Sequence, residues 1–288
     1  MQRTYQGARI LLVHAHPDDE TINNGATMAM YAAQGAQVTL VTCTRGEEGE
    51  VLVPELSHLA AAQTDGLGAH REIELANAMK ALGISDFRFL GAPEKKFRDS
   101  GMIGTPPNER ADNFWNADFD EASRYLVAVI DEVKPHVLIT YDEIGGYGHP
   151  DHIQAHRIAM EAAKRASWNI PKIYWNTMPK SVIADGIEKM KALGSDFFGA
   201  ESADDLPFAK ADEFVTTLID ANEFVDAKMK AMAAHSTQIA LDGPFFALSN
   251  NIGLQVWGNE YYTLVQGTPA EPFDNDGRER DLLSGIAF

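Results

Sequence analysis

Two short segments of this 288-residue chain concentrate imidazoles and carboxylates. The first is His14-Ala15-His16-Pro17-Asp18-Asp19-Glu20. The second is Tyr141-Asp142-Glu143-Ile144-Gly145-Gly146-Tyr147-Gly148-His149-Pro150-Asp151-His152. Imidazole nitrogen and carboxylate oxygen together suit Zn²⁺, and a catalytic zinc takes three protein ligands and keeps one position open for water. In the first segment His16 and Asp19 are three residues apart across Pro17, which forces a turn and can bring both side chains to one ion. Asp18 lies between them; it need not ligate and could sit beside a metal-bound water as a base. In the second segment Pro150 suits the first position of a helix, with His149 just outside it and His152 in the first turn.

The elements that must position these clusters follow from hydrophobic patterning. Residues 8–13 (ARILLV) read as a buried strand, 25–34 as a helix with Ala26, Ala29, Met30 and Ala33 on one face, and 37–43 (QVTLVTC) as a second strand. That is the strand, helix, strand signature of a parallel unit. Helices are expected at 69–82, 120–133, 150–166 and 180–193, and strands at 87–90, 136–141, 172–176 and 261–265. A long helix is expected over 212–235, with Phe214, Leu218, Ala221, Val225 and Met229 near one face. Residues 44–68 and 95–116 are polar and irregular and read as long loops. The expected fold is one α/β domain with a mostly parallel sheet, helices on both faces, a core over about 8–176 and a C-terminal elaboration over about 177–288. In such a sheet ligands bind at the carboxyl ends of strands, and both clusters follow strands there.

Composition narrows the partners. Lys plus Arg is 24 and Asp plus Glu is 42, a net charge of −18, which lacks the electrostatic footprint of a nucleic-acid or anionic-membrane binder. The single cysteine, Cys43, excludes an intrachain disulfide and fits a reducing cytoplasm. The apolar run at 10–13 is too short for a signal-peptide core, and no stretch approaches the ~20 apolar residues of a membrane span. A cytoplasmic protein with a small-molecule substrate is expected, and no oligomeric state is assigned.

His16-Pro17-Asp18-Asp19-Glu20 together with His149-Pro150-Asp151-His152 resembles the LmbE-like, or PIG-L, family of zinc-dependent N-deacetylases acting on N-acetylglucosaminyl conjugates, whose core is Rossmann-like. Further segments resemble the branch that removes acetate from N-acetylglucosaminyl inositol in mycothiol biosynthesis. They are 41–51 (VTCTRGEEGEV), 97–102 (FRDSGM), 145–148 (GGYG), 234–238 (AHSTQ) and Phe246-Ala247-Leu248-Ser249-Asn250. The resemblance runs from about residue 10 to 265. It implies His16, Asp19 and His152 as ligands of one zinc per chain, with Fe²⁺ as the alternative metal. It implies Asp18 as the general base, His149 as the residue assisting the tetrahedral intermediate with Asp151 behind it tuning its pKa, and Tyr147 as a mobile oxyanion stabiliser. It implies Arg71 on the inositol side and Asp99 on sugar hydroxyls. Amide hydrolysis needs an activated water, oxyanion stabilisation and a proton for the leaving amine, and this set supplies each.

Plainer readings stand beside these. His14 points the same way as His16 on an extended strand and could ligate, but a buried hydrogen-bonded role is preferred. His156 lies one turn after His152 and reads as a helix-flank residue. Arg71 and Asp99, apart from the resemblance, would be surface residues, and Glu47, Glu48 and Glu50 a solvated face. Gly145, Gly146 and Gly148 resemble a phosphate loop, but no Lys-Ser/Thr follows. Two rivals remain. A mycothiol S-conjugate amidase would share the metal site, but that branch carries a lysine near Asn23, which Thr21-Ile22-Asn23-Asn24 lacks. A catalytically silent sugar binder finds no support while ligands and base are all present.

Overall fold

The structure, a computed structural model, describes residues 4–192, 194, 199–240 and 258–288. The Phe246-Ala247-Leu248-Ser249-Asn250 stretch and position 193 of the expected 180–193 helix lie outside the described residues.

The elements in chain order are β1 (Arg9–His14), α1 (Asp19–Ala33), β2 (Gln37–Thr42), α2 (Leu67–Leu82), β3 (Asp86–Phe89), β4 (Gly91–Ala92), β5 (Lys95–Lys96) and α3 (Phe119–Val133). Then come β6 (Val137–Thr140), α4 (Gly145–Gly148), α5 (Pro150–Arg165), β7 (Lys172–Pro179), α6 (Lys180–Ala192), β8 (Ala209–Lys210), β9 (Thr217–Asp220), α7 (Val225–Ala234) and β10 (Asn259–Gln266). The main sheet runs β3-β2-β1-β6-β7-β10-β9, with β8 paired to β7. β3, β2, β1, β6 and β7 are parallel, while β10 is antiparallel to both β7 and β9. β2 and β6 flank β1 on opposite sides, so strand order reverses between β1 and β6. Both His/Asp clusters leave the sheet at the carboxyl ends of these two strands, where an open α/β sheet forms its ligand crevice.

Side chains of β1 alternate between two apolar cores. Ile10 and Leu12 pack with Tyr31, Leu40, Leu75 and Met79 on one face, and Leu11 and Val13 pack with Leu126, Ile130, Leu138 and Ile158 on the other. A sheet buried on both faces needs near-continuous apolar strands, which is what residues 8–13 and 37–43 supply. α3 is capped by Asp118, whose carboxylate accepts the Glu121 N–H (2.8 Å), and buries Ala122, Leu126, Ile130 and Val133.

Two expectations need correction. The helix expected at 25–34 begins earlier, at Asp19. Its first turns are polar yet buried, because Asp19, Glu20, Thr21 and Asn24 face the interior rather than solvent, so apolar periodicity does not mark them. The long helix expected over 212–235 is a 3₁₀ turn (Asp212–Phe214), the strand β9, a second 3₁₀ turn (Asn222–Phe224) and the short helix α7. Val215-Thr216-Thr217-Leu218-Ile219 is β-branched at four of five positions, and pairing with β10 selects the extended state such residues favour. The helical spacing of Phe214, Leu218 and Ala221 is coincidental; Phe214 is exposed and Ala221 buried.

The 44–68 loop carries one 3₁₀ turn, Pro54–Leu59, before α2 starts at Leu67, and the 95–116 loop carries β5 and a 3₁₀ turn, Pro106–Glu109. Arg98 joins the two loops, pairing with Glu48 (2.6 Å) and Asp65 (2.8 Å). The late segment is built into the same sheet. Glu260 on β10 accepts the Ala26 and Thr27 N–H groups of α1 (3.1 and 2.8 Å) and pairs with Lys228 of α7 (2.6 Å).

Candidate metal centre

A cavity of about 710 Å³ opens at the carboxyl ends of β1 and β6. His16, Asp18, Asp19, Arg71, Asp99, Tyr147, His149 and His152 line it. Asp151 lies just behind the wall, fully buried.

Three donor atoms face one another in this cavity. His16 Nδ1 and His152 Nε2 are 3.3 Å apart, and each is 3.4 Å from Asp19 Oδ2. Ligand atoms about 2.0–2.2 Å from a tetrahedral ion stand about 3.3–3.6 Å from each other, so the triangle has the size a Zn²⁺-like ion requires. The outer atoms are tied in the way metal-ligating groups are. His152 Nδ1 bonds the Gly145 carbonyl (3.2 Å) and His16 Nε2 bonds the Asp151 carboxylate (3.2 Å). Those bonds would keep the ring protons outward when an ion takes the inner nitrogens. Asp19 Oδ2 is fixed by the His16 N–H (2.9 Å) and the Tyr141 hydroxyl (2.7 Å).

The field also favours a cation. Burial pushes the His16 pKa down, but the carboxylates of Asp99, Asp151 and Asp19 outweigh it and hold the ring well above its usual value. Burial pushes Asp19 up, and His152 and His16 overcome that and hold it well below the usual carboxylate range. Ring nitrogens of His16, His149 and His152 lie within 4.8 Å of one another, as do donor atoms of His16, Asp99 and Asp151. The Asp19 triangle is the tighter set. The residues present therefore fit a divalent ion.

Asp18 sits beside the triangle. Burial raises its carboxyl pKa to about 6, against Arg71, whose Nη2 is 3.3 Å away. Its backbone has φ 124°, a region non-glycine residues rarely occupy. His149 caps α5, its Nδ1 accepting the Asp151 N–H (3.1 Å). Burial first, then the charges of His16 and His152, lower its pKa to about 3, so the ring is neutral with its proton on Nε2. Tyr147 stands on the short α4, half exposed, between Gly146 (φ 72°) and Gly148 (φ 91°), its ring 5.0 Å from that of His152. Burial lifts its hydroxyl pKa, keeping it a donor.

Several expectations change at this level. The Asp151 carboxylate bonds His16 Nε2 and the Ser100 N–H and hydroxyl, not the His149 ring. Arg71 and Asp99 are buried, not surface residues. Arg71 donates to the carbonyls of Gly46 (2.8 Å) and Pro17, and Asp99 accepts the Gly101 N–H (2.8 Å). Glu47 is likewise buried and accepts the Asp99 N–H (3.0 Å), while Glu50 is exposed. His14 is buried and bonds Asn24 (2.9 Å), and His156 bonds the Tyr141 carbonyl (2.9 Å). Tyr141 stacks on His152 at 4.3 Å, a role that strand periodicity alone does not signal. A tyrosine closing a strand at the head of a His/Asp cluster is the only hint of it.

Sequence comparison decides between chemistries the fold would allow. The PIG-L family, GlcNAc-PI de-N-acetylase, matches residues 11–163, and the chain is 57% identical to a 1D-myo-inositol 2-acetamido-2-deoxy-alpha-D-glucopyranoside deacetylase of Geodermatophilus obscurus over 96% of this chain and 98% of that one. This chain belongs to the PIG-L family. Similar solved structures include the N,N'-diacetylchitobiose deacetylase from Pyrococcus horikoshii, with TM-score 0.56, 18% identity and coverage of 90% of this chain and 84% of that one. The 4-carboxy-2-hydroxymuconate hydratase from Pseudomonas putida is equally similar, with TM-score 0.56, 19% identity and coverage of 93% and 100%. A deacetylase and a hydratase on one fold show that architecture alone does not select the reaction.

Proposed function

We propose that this PIG-L family member is a zinc-dependent hydrolase that removes acetate from N-acetylglucosaminyl inositol in mycothiol biosynthesis. The observation that carries the reading is the triangle of His16 Nδ1, Asp19 Oδ2 and His152 Nε2, with the Asp18 carboxylate beside it in one cavity. The substrate rests on the relative that is 57% identical and named for that reaction.

His16, Asp19 and His152 would hold the ion. A bound zinc would supply Lewis acidity, making a water more acidic and the amide carbonyl more electrophilic. Fe²⁺ accepts the same donor set. Asp18 takes a proton from the attacking water. His149 Nε2–H and the Tyr147 hydroxyl donate toward the developing oxyanion, and the proton Asp18 has taken passes to the departing amine nitrogen as the C–N bond breaks. Asp151, bonded to His16, fixes the ligand rather than the acid. Asp99 and Arg71 line the same cavity, where Asp99 would meet sugar hydroxyls and Arg71 the inositol. Cleavage of a mycothiol S-conjugate has one observation in its favour, an apolar wall of Met178, Ile183, Leu206 and Phe208 facing the same cavity. Asn23, where that branch carries a lysine, bonds the Asp19 carbonyl (2.9 Å) and lines the cavity.

The test is primary-amine release by zinc-loaded protein with the two substrates side by side. Higher kcat/KM for N-acetylglucosaminyl inositol is expected. Preference for the conjugate would move the enzyme to the amidase reaction, and turnover of neither with metal bound would overturn both substrate assignments.

A further inference from the structure

We propose that Glu20 and His235 are positioning residues for Asp18, a buried carboxylate–imidazole pair that holds the base's backbone without touching substrate. The proposal rests on the assignment of Asp18 as the general base.

Asp18 is held in an unfavourable conformation, φ 124° and ψ −35°, which a residue with a side chain keeps only when its surroundings over-determine it. Glu20 Oε2 accepts the Asp18 N–H (2.9 Å). Its other oxygen, Oε1, pairs with His235 Nε2 (2.9 Å) and accepts the Thr21 hydroxyl. On the opposite side Arg71 donates to the Pro17 carbonyl and approaches the Asp18 carboxylate. The one peptide unit that precedes the Asp18 Cα is therefore held at both ends, its N–H by Glu20 and its carbonyl by Arg71.

Glu20 and His235 are both fully buried and neither lines the cavity, so neither touches a substrate bound there, and bound zinc separates an effect on Asp18 from one on the neighbouring Asp19. His235 comes from the C-cap of α7, 215 residues away in sequence. The residues after it grip the second clamp. The Ser236 hydroxyl and the Thr237 N–H and hydroxyl donate to Glu74 of α2 (3.0, 2.8 and 2.7 Å), one turn from Arg71. One short segment, His235 to Thr237, thus touches Glu20 directly and holds the helix that carries Arg71. A buried pair serving only stability would have no reason to end on the N–H of a left-handed residue that carries the base.

The test is a double-mutant cycle on full-length, zinc-loaded protein, with amine release from N-acetylglucosaminyl inositol as the activity and bound zinc as the second readout. Glu20→Ala is expected to lower kcat about 10- to 100-fold, the cost of a misplaced group, with KM within twofold and one zinc per chain retained. In an Asp18→Asn background the same change is expected to lower kcat less than twofold, because the group it positions is already gone. Glu20→Gln keeps an oxygen acceptor for the Asp18 N–H and should retain kcat within about fivefold of wild type. If Glu20→Ala does not fold, His235→Gln enters the cycle in its place with the same expected pattern. Equal kcat losses in both backgrounds, or no loss in either, would overturn the proposal alone. Full turnover by Asp18→Asn would overturn the assignment of Asp18 and the proposal with it.

Discussion

At the residue scale, Asp18 and the His16–Asp19–His152 triangle make separable contributions. Asp18→Asn keeps the three donor atoms and is expected to lose about 10²–10⁴-fold in kcat while binding metal as wild type does, checked by steady-state kinetics beside metal analysis. His152→Ala removes a corner of the triangle and is expected to abolish tight binding of one divalent ion in equilibrium dialysis. Arg71 lowers the Asp18 pKa against burial, which lifts it to about 6. Removing that positive charge in Arg71→Met raises the pKa further, so the acidic limb of kcat/KM should move to higher pH. An unmoved limb would separate Arg71 from the base. The paired motifs were legible in the sequence because both lie next to apolar runs that must be strands. The burial of Arg71 and the attachment of Asp151 to His16 were not, since each depends on contacts across 25 to 135 residues.

At the element scale, the site depends on how β6 hands over to α5. Gly145 has φ 63°, and a Cβ there would stand 2.6 Å from the His152 Cβ and 2.8 Å from the Ile153 nitrogen. Gly145→Ala is therefore expected to displace the first turn of α5 and His152 with it. It should weaken metal affinity at least tenfold and lower the thermal midpoint, read by metal titration and calorimetry. The positions of β1, β2, β6 and α5 were legible because a doubly buried parallel sheet imposes long apolar runs. The 212–235 segment was misread because its apolar spacing satisfies a helix, while its β-branched run and the edge of β10 favour a strand. Local pattern cannot reveal which strand edge is vacant.

At the scale of the whole molecule, the late chain is part of the site's foundation. β10 and β9 extend the sheet, Lys172 pairs with the buried Glu279, and Asp281 accepts the Tyr31 hydroxyl (2.8 Å). Among the described residues no helix is long and apolar enough to cross a membrane. The Glu20–His235 pair adds a pH dependence to stability. Burial lowers the His235 pKa, but Glu20 and Asp18 outweigh it and raise it above 6.5. Its contribution is complete below that value and lost as pH rises through the folded-state pKa. Burial raises Glu20, and His235 overcomes it and holds Glu20 below 4.5, so its contribution is complete above 4.5 and lost as pH falls through the depressed pKa. Wild type should therefore exceed His235→Gln in stability by the most between pH 4.5 and 6.5, by about 3–5 kcal/mol. The difference should shrink toward pH 9 in urea titrations, and a difference that grows with pH would contradict this pairing.

The central claim is that one divalent ion held by His16, Asp19 and His152 is required for deacetylation. Its most direct test is amine release from N-acetylglucosaminyl inositol before chelation, after chelation and after zinc is added back, with bound metal measured in each sample. Turnover is expected to fall with loss of metal and to recover at about one zinc per chain. Undiminished turnover by protein shown to be metal-free would contradict it.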